Sequence, residues 1–263
     1  MKQVCGVVLI VLLCGSVVHG QNQTESDPNK GAPSGRIVNG VSVSIQNYPF
    51  MALLKIVTTN TAYCGAAIIS SKKAVTAAHC LYKISTNNML TLRAGSNIKE
   101  QGGVLYQVSS FVLHENYNPT TIDNDVAILT TSSFMTGFAP IPLQETEIAI
   151  SSTNPTWCYA IGWGVTSTGM VADNLQYADL QLVTHSTCAR TWRPSQLTPQ
   201  MICALVTNGA MCNGDSGGPL VCNNRLVGLT SFGVRGCPKF RDNVFTKVSS
   251  SSVLSFIKRN MVA

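Results

Sequence analysis

Gly214-Asp215-Ser216-Gly217-Gly218-Pro219 places one serine among glycines, where backbone can approach another chain closely and take dihedrals that a Cβ would forbid. A serine hydroxyl is a weak nucleophile until a base takes its proton and donors hold the oxyanion that forms. The stretch is therefore either a Gly-rich surface turn or the centre of an acyl-transfer site. Partners elsewhere in the chain decide which.

The histidines and acids supply them. His19 follows directly on an N-terminal apolar run, and His114 and His185 stand in polar surroundings that read as surface. His79 ends the apolar strand pattern Ala74-Val75-Thr76-Ala77-Ala78, beside Cys80. Asp125 opens Val126-Ala127-Ile128-Leu129, at the mouth of a buried-looking strand where a charge needs a partner. Asp123 competes with it, but lies further into an Asn/Asp-rich turn. The order His79, Asp125, Ser216 is neither the Ser-acid-His order of an α/β-hydrolase nor the Asp-His-Ser order of a subtilisin-like enzyme.

The rest of the chain bounds its setting. Lys2, the apolar run Val4–Val18 and small residues up to Gly20 read as a secretory signal, 1–20. That run is shorter than the ~20 apolar residues a membrane-spanning helix needs. Residues 21–35 lack apolar periodicity and hold the glycosylation triplet Asn22-Gln23-Thr24. Of ten cysteines, Cys5 and Cys14 leave with the signal. The remaining even set (Cys64, Cys80, Cys158, Cys188, Cys203, Cys212, Cys222 and Cys237) contains no CxxC pair and suits disulfides in an oxidising compartment. Counting alone does not assign their connectivity. The 18 basic and 12 acidic side chains are dispersed, so there is no nucleic-acid stripe.

Short β-rich runs separated by turn residues fill the chain: 50–57, 74–78, 89–94, 104–113 and 126–129, then 157–161, 175–183, 219–222, 226–231 and 244–248. Residues 140–155 are poor in strand pattern and link the two halves. The terminal segment reads as the one helix, with serines 249–252 before Val253, Phe256, Ile257 and Met261 at helical spacing.

Six motifs now stand in order: Arg36-Ile37-Val38-Asn39-Gly40, Thr76-Ala77-Ala78-His79-Cys80, Asp125-Val126-Ala127-Ile128-Leu129, Gly162-Trp163-Gly164, Gly214–Pro219 and Ser231-Phe232-Gly233. With them the chain resembles the chymotrypsin/trypsin family of serine endopeptidases across 37–263. The resemblance implies an all-β fold of two antiparallel six-stranded β-barrels, about 37–141 and 155–263, with a C-terminal α-helix. It implies His79, Asp125 and Ser216 as a catalytic triad, with the N–H groups of Gly214 and Ser216 as the oxyanion hole. It implies a secreted zymogen cut at Arg36–Ile37 by a trypsin-like protease, the new terminus at Ile37 pairing with Asp215. Disulfides Cys64–Cys80, Cys158–Cys222, Cys188–Cys203 and Cys212–Cys237 follow from the same likeness.

The pocket is expected from Ala210, Met211, Asn213, Ser231, Phe232, Gly233 and Asn243. Members that cut after basic residues carry an aspartate six residues before the nucleophile; here that position is Ala210. Gly233 as an open wall and Met211 as apolar lining point to an aromatic or large apolar P1. Asn243, on a rear wall where chymotrypsin-like members have glycine, keeps an elastase-like or mixed preference open. Ser96-Asn97-Ile98-Lys99 replaces the acidic calcium loop of some relatives, so neither metal nor cofactor is expected. The expected partners are protein or peptide substrates and the activating protease, with room for protein inhibitors, acting on an extracellular monomer. A protease-like binding protein without catalysis and an esterase are the rival readings.

Overall fold

In a computed structural model of the chain, the structure describes residues 41–56, 63–151, 153–165, 170–207, 211, 214–234, 236 and 241–261. The expected signal and propeptide, Asn22, Arg36, Ile37, Ala210, Asn213 and the expected Cys212–Cys237 pair lie outside the described residues. The chain divides into two compact units, Met1–Pro33 and Ser34–Ala263, and all that follows concerns the second.

Two antiparallel barrels make up that unit. A short strand β1 (Val41–Ser42) precedes the first barrel, built from β2 (Met51–Ile56), β3 (Tyr63–Ile68), β4 (Lys73–Thr76), β5 (Leu90–Ala94), β6 (Val104–Leu113) and β7 (Ala127–Thr131). Its six strands close in the order β2-β3-β4-β7-β6-β5. The second comprises β8 (Trp157–Gly162), β9 (Gln176–Val183), β10 (Met201–Val206), β11 (Pro219–Cys222), β12 (Arg225–Phe232) and β13 (Asp242–Lys247). It runs β9-β10-β13-β12-β11-β8 and closes through β8 pairing with β9, while β1 adds to the outside of β9. A one-turn helix α1 (His185–Cys188) crosses one end, and α2 (Ser251–Met261) ends the fold.

Period-two patterning explains the closure. In β5, Leu90, Leu92 and Ala94 point inward and are buried while Thr91 and Arg93 alternate outward. β3 and β10 escape sequence reading for opposite reasons. Tyr-Cys-Gly-Ala-Ala-Ile holds residues with little β propensity. Met-Ile-Cys-Ala-Leu-Val is buried nearly throughout, so no alternation marks it. α1 is too short for periodicity; it is set by Thr184, whose hydroxyl accepts the Thr187 N–H at 3.2 Å.

Three larger apolar bodies result, beside a smaller one around Val183, Met201 and Val244. One fills the first barrel around Leu54, Leu92 and Leu129. Another fills the second around Leu180, Leu220 and Phe245. A third lies between them, joining Leu53, Val75 and Ile128 to Ile161, Trp163 and Leu229, and sealed by Val253, Phe256 and Ile257 of α2. The strand-poor linker is stitched to both sides. Ile141 N–H donates to Ile68 O at 3.0 Å, while Leu226 N–H donates to Pro142 O and Gln144 N–H to Leu226 O, each at 2.9 Å. Disulfides Cys64–Cys80, Cys158–Cys222 and Cys188–Cys203 are closed. Among the described residues no helix is long and apolar enough to cross a membrane.

Beside the central body, Tyr159 stacks on Tyr177 at 5.3 Å and meets Tyr48 at 5.5 Å, and the Tyr177 hydroxyl donates to Asp179 Oδ1 at 2.8 Å. Burial chiefly pushes all three phenols upward, with Asp179 adding to the shift at Tyr177 and Tyr48. A raised folded pKa stabilises fully below the unfolded value and is lost as pH climbs through the folded one. Resistance to urea is therefore expected to fall as pH rises beyond about 10, and to fall less steeply in Tyr177→Phe. Denaturation midpoints between about pH 9 and 12 check this.

Candidate active site

β4 ends at Thr76, and a single 3₁₀ turn, Ala78–Cys80, swings His79 to the rim of the first barrel. The Cys64–Cys80 bridge ties that turn back to β3. Asp125 reaches the same rim from the start of β7, through a turn in which Asn124 has φ +52°. The acid is 1% exposed, so its charge needs donors. Oδ1 accepts the His79 backbone N–H at 2.8 Å, while Oδ2 lies 2.7 Å from His79 Nδ1 and accepts the Ser231 hydroxyl at 2.6 Å. Its backbone carbonyl accepts the Thr246 hydroxyl at 2.7 Å. A carboxylate at Nδ1 fixes the proton there and leaves Nε2 as an acceptor. Asp123 faces elsewhere, taking the Thr198 hydroxyl at 2.5 Å.

Ser231 arrives from the second barrel by a bulge. Thr230 opposes Phe245 and Phe232 opposes Val244, so Ser231 has no opposite residue and its hydroxyl turns out of the ladder onto Asp125.

The Ser216 loop is wedged at the seam of the barrels. Ser216 O accepts Gly65 N–H at 2.7 Å from the first barrel, and Gly217 N–H donates to Thr230 O at 2.8 Å in the second. Gly217 has φ +73°, and a Cβ there would stand 2.2 Å from Thr76 Oγ1 and 3.0 Å from Ala77 N, so only glycine fits. The loop thus rests on the segment leading to His79. Among the described residues His79 Nε2 makes no hydrogen bond to Ser216 Oγ, and its ring lies 3.8 Å from Cys80 Sγ. Cys64, His79 and Cys80 cluster closely, but both sulfurs are spent in the disulfide and offer no thiolate to a metal.

Asp215 is 1% exposed and sits against Gly162-Trp163-Gly164, with Oδ1 accepting Gly164 N–H at 2.9 Å. A Cβ on Gly164 would meet Oδ2 at 2.2 Å, so the carboxylate occupies the space that glycine leaves. Gly214 precedes it with φ +99°.

Around the expected pocket, Phe232 meets Trp192 edge-on at 5.1 Å, and Gly233 lies at the exposed end of β12. Asn243 is 7% exposed and turns its carboxamide toward Gly233, so that a Cβ there would stand 2.5 Å from Oδ1. Met211 is 5% exposed and packs with Leu180 and Phe245 in the second barrel. One sequence expectation needs correction. His114, read as a surface residue, is 4% exposed because Phe256 of α2 covers its ring. His185 is exposed, with Nε2 2.9 Å from Met201 O.

Some contributors had no sequence signal. Thr76 and Thr246 are threonines inside apolar strands; Thr246 bonds across the seam to Asp125 O, while Thr76 donates to Gly65 O within the first barrel and abuts Gly217. Trp192 is brought to Phe232 by the disulfide-bonded loop after α1.

Comparison with known proteins agrees with this geometry. The trypsin family model matches residues 37–257. Trypsin alpha-4 of Lucilia cuprina is 40% identical over 206 residues, covering 77% of this chain and 79% of its own. Trypsin alpha of Drosophila melanogaster is 37% identical over 235 residues, covering 87% and 89%. Among solved structures, HL collagenase superposes with a TM-score of 0.74 at 26% identity, over 86% of this chain and 99% of its own. An inactivated protease paralogue of the scabies mite gives 0.76 at 21% identity, over 86% and 98%, a likeness of fold alone. Family model, relatives and double-barrel fold agree: the chain belongs to the trypsin family and is a serine endopeptidase, a hydrolase of protein substrates.

Proposed function

We propose that the chain is a secreted zymogen with a signal at 1–20, a propeptide at 21–36 and a peptidase domain at 37–263. Its triad is His79, Asp125 and Ser216. The observation that carries the reading is the Asp125 carboxylate, buried yet met by His79 twice and by Ser231 from the other barrel. In the reaction, Ser216 Oγ attacks the scissile carbonyl as its proton passes to His79 Nε2. The Gly214 and Ser216 N–H groups hold the oxyanion, and the imidazolium gives its proton to the leaving amine. Water, deprotonated by His79, then releases the acyl group and restores the serine. Cleavage at Arg36–Ile37 frees the terminus that pairs with Asp215, whose carboxylate rests in the space that Gly164 leaves.

P1 is uncharged in this reading, although the relatives carry the name trypsin, because Ala210 stands where an acid would hold a basic side chain. The carboxamide of Asn243 against Gly233 favours the narrower alternative, with Leu or Met ahead of Phe or Tyr. Such an enzyme does not cut efficiently after its own Arg36, so a trypsin-like partner activates it in extracellular digestion.

The test is to cleave the purified chain after Arg36, confirm the new terminus Ile37-Val38, and profile P1 on a peptide library. Activity is expected to appear on cleavage with an uncharged P1. Asn243→Gly is expected to raise kcat/KM for Phe or Tyr over Leu by about 10-fold or more, the range of a pocket refitted by a few atoms. A preference for Lys or Arg, or rapid self-activation, would overturn the pocket assignment.

A further inference from the structure

We infer that Ser252 and His114 act as positioning residues for Asp125, a role that rests on the triad reading above. The residue before the acid, Asn124, is held from the far end of the chain. Its Oδ1 accepts the Ser252 hydroxyl of α2 at 2.8 Å, and its Nδ2 donates to Asn116 O at 3.3 Å and Asp123 Oδ2 at 3.2 Å. Asn124 is 7% exposed with φ +52°, a left-handed turn that asparagine tolerates better than most residues. Its carboxamide is thereby engaged on both ends within the fold.

The proton order follows from these partners. Ser252 has one hydroxyl proton and gives it to Asn124 Oδ1. His114 Nε2, 3.1 Å from Ser252 Oγ and 3.3 Å from Ser252 O, is therefore the donor to Ser252. His114 Nδ1 accepts Asn116 N–H at 3.1 Å, which requires the same tautomer. The ring lies 4.8 Å from Phe256, one turn beyond Ser252. His114 also grips the other flank of the acid, since its backbone N–H donates to Val126 O at 3.0 Å.

Asp125 is thus bracketed. Residue 124 is tied to α2 through Ser252, residue 126 to His114 backbone, and the His114 ring joins the two ties. The first barrel supplies the acid, while the helix that follows the second barrel fixes the direction its carboxylate leaves the turn. Acyl transfer is sensitive to such placement, because small displacements of a reacting group cost rate rather than binding.

The experiment uses the full chain cleaved after Arg36, as wild type, Ser252→Ala, Ser252→Thr and Ser216→Ala. Measurements are kcat, KM, melting temperature and the low-field proton resonance of the His79 Nδ1–H···Asp125 bond. Ser252→Ala is expected to lower kcat by about 10-fold with KM changed by less than about 2-fold, the pattern of an interaction felt in the transition state. The low-field resonance should broaden or move in that variant at temperatures well below melting. Ser252→Thr keeps a hydroxyl in the same place and is expected to restore both. Wild-type kcat and an unmoved resonance in Ser252→Ala would overturn the positioning role alone, provided Ser216→Ala is inactive. Activity in Ser216→Ala overturns the triad reading itself.

Discussion

Ser216→Ala is expected to lower kcat by about 10⁶-fold while the protein still folds, which is the scale of removing the nucleophile from a triad that acts as one unit. The ties that hold its loop run through backbone atoms: Gly65 N–H to Ser216 O, Gly217 N–H to Thr230 O and Gly218 N–H to Asp215 O. Alanine keeps them all, so melting temperature is expected to stay at the wild-type value. The pair of measurements separates loss of the nucleophile from loss of the fold. Peptidase activity retained within 100-fold of wild type, by contrast, would move the chemistry to another residue.

Asp125→Asn is expected to cost about 10⁴-fold in kcat through a proton in the wrong place, not a lost shape. The amide matches the carboxylate in size and can still accept the His79 backbone N–H now held by Oδ1. Its NH₂ would then face Nδ1, which must become the acceptor, so the imidazole proton moves to Nε2 and points at the serine it should deprotonate. Ser231, which donates to Oδ2 at 2.6 Å, loses its acceptor as well. KM is expected to change little, and steady-state kinetics beside Ser216→Ala check the order of the two effects. A fall in kcat of less than about 10-fold would mean that Asp125 does not set the tautomer.

The most legible parts of the chain were those where chemistry sits at the end of a patterned strand. His79 closes an apolar run, Asp125 opens one, and Ser216 lies in a glycine stretch that no core strand would carry. Alternation made β5 and β6 readable, whereas alanine and glycine hid β3 and burial on both faces hid β10. Local context also misled. Asn, Glu and Tyr around His114 describe its neighbours in sequence, while its neighbour in space is Phe256, more than a hundred residues away. The Asn243 carboxamide meets Gly233 through a contact between two strand ends that only the register of β12 on β13 creates, so no local sequence pattern announces it.

The stitched linker has a consequence for the form in which a protein substrate is met. Ile141, Pro142 and Gln144 are bonded to strands of both barrels, so this part of the joining segment is tied down on either side. The proposed site is therefore expected to work without hinged closure over its substrate. A victim must offer an already extended stretch, and in a native protein such stretches exist only where local unfolding releases them. Against intact globular proteins, the speed of this enzyme would be set by how often the prey comes loose.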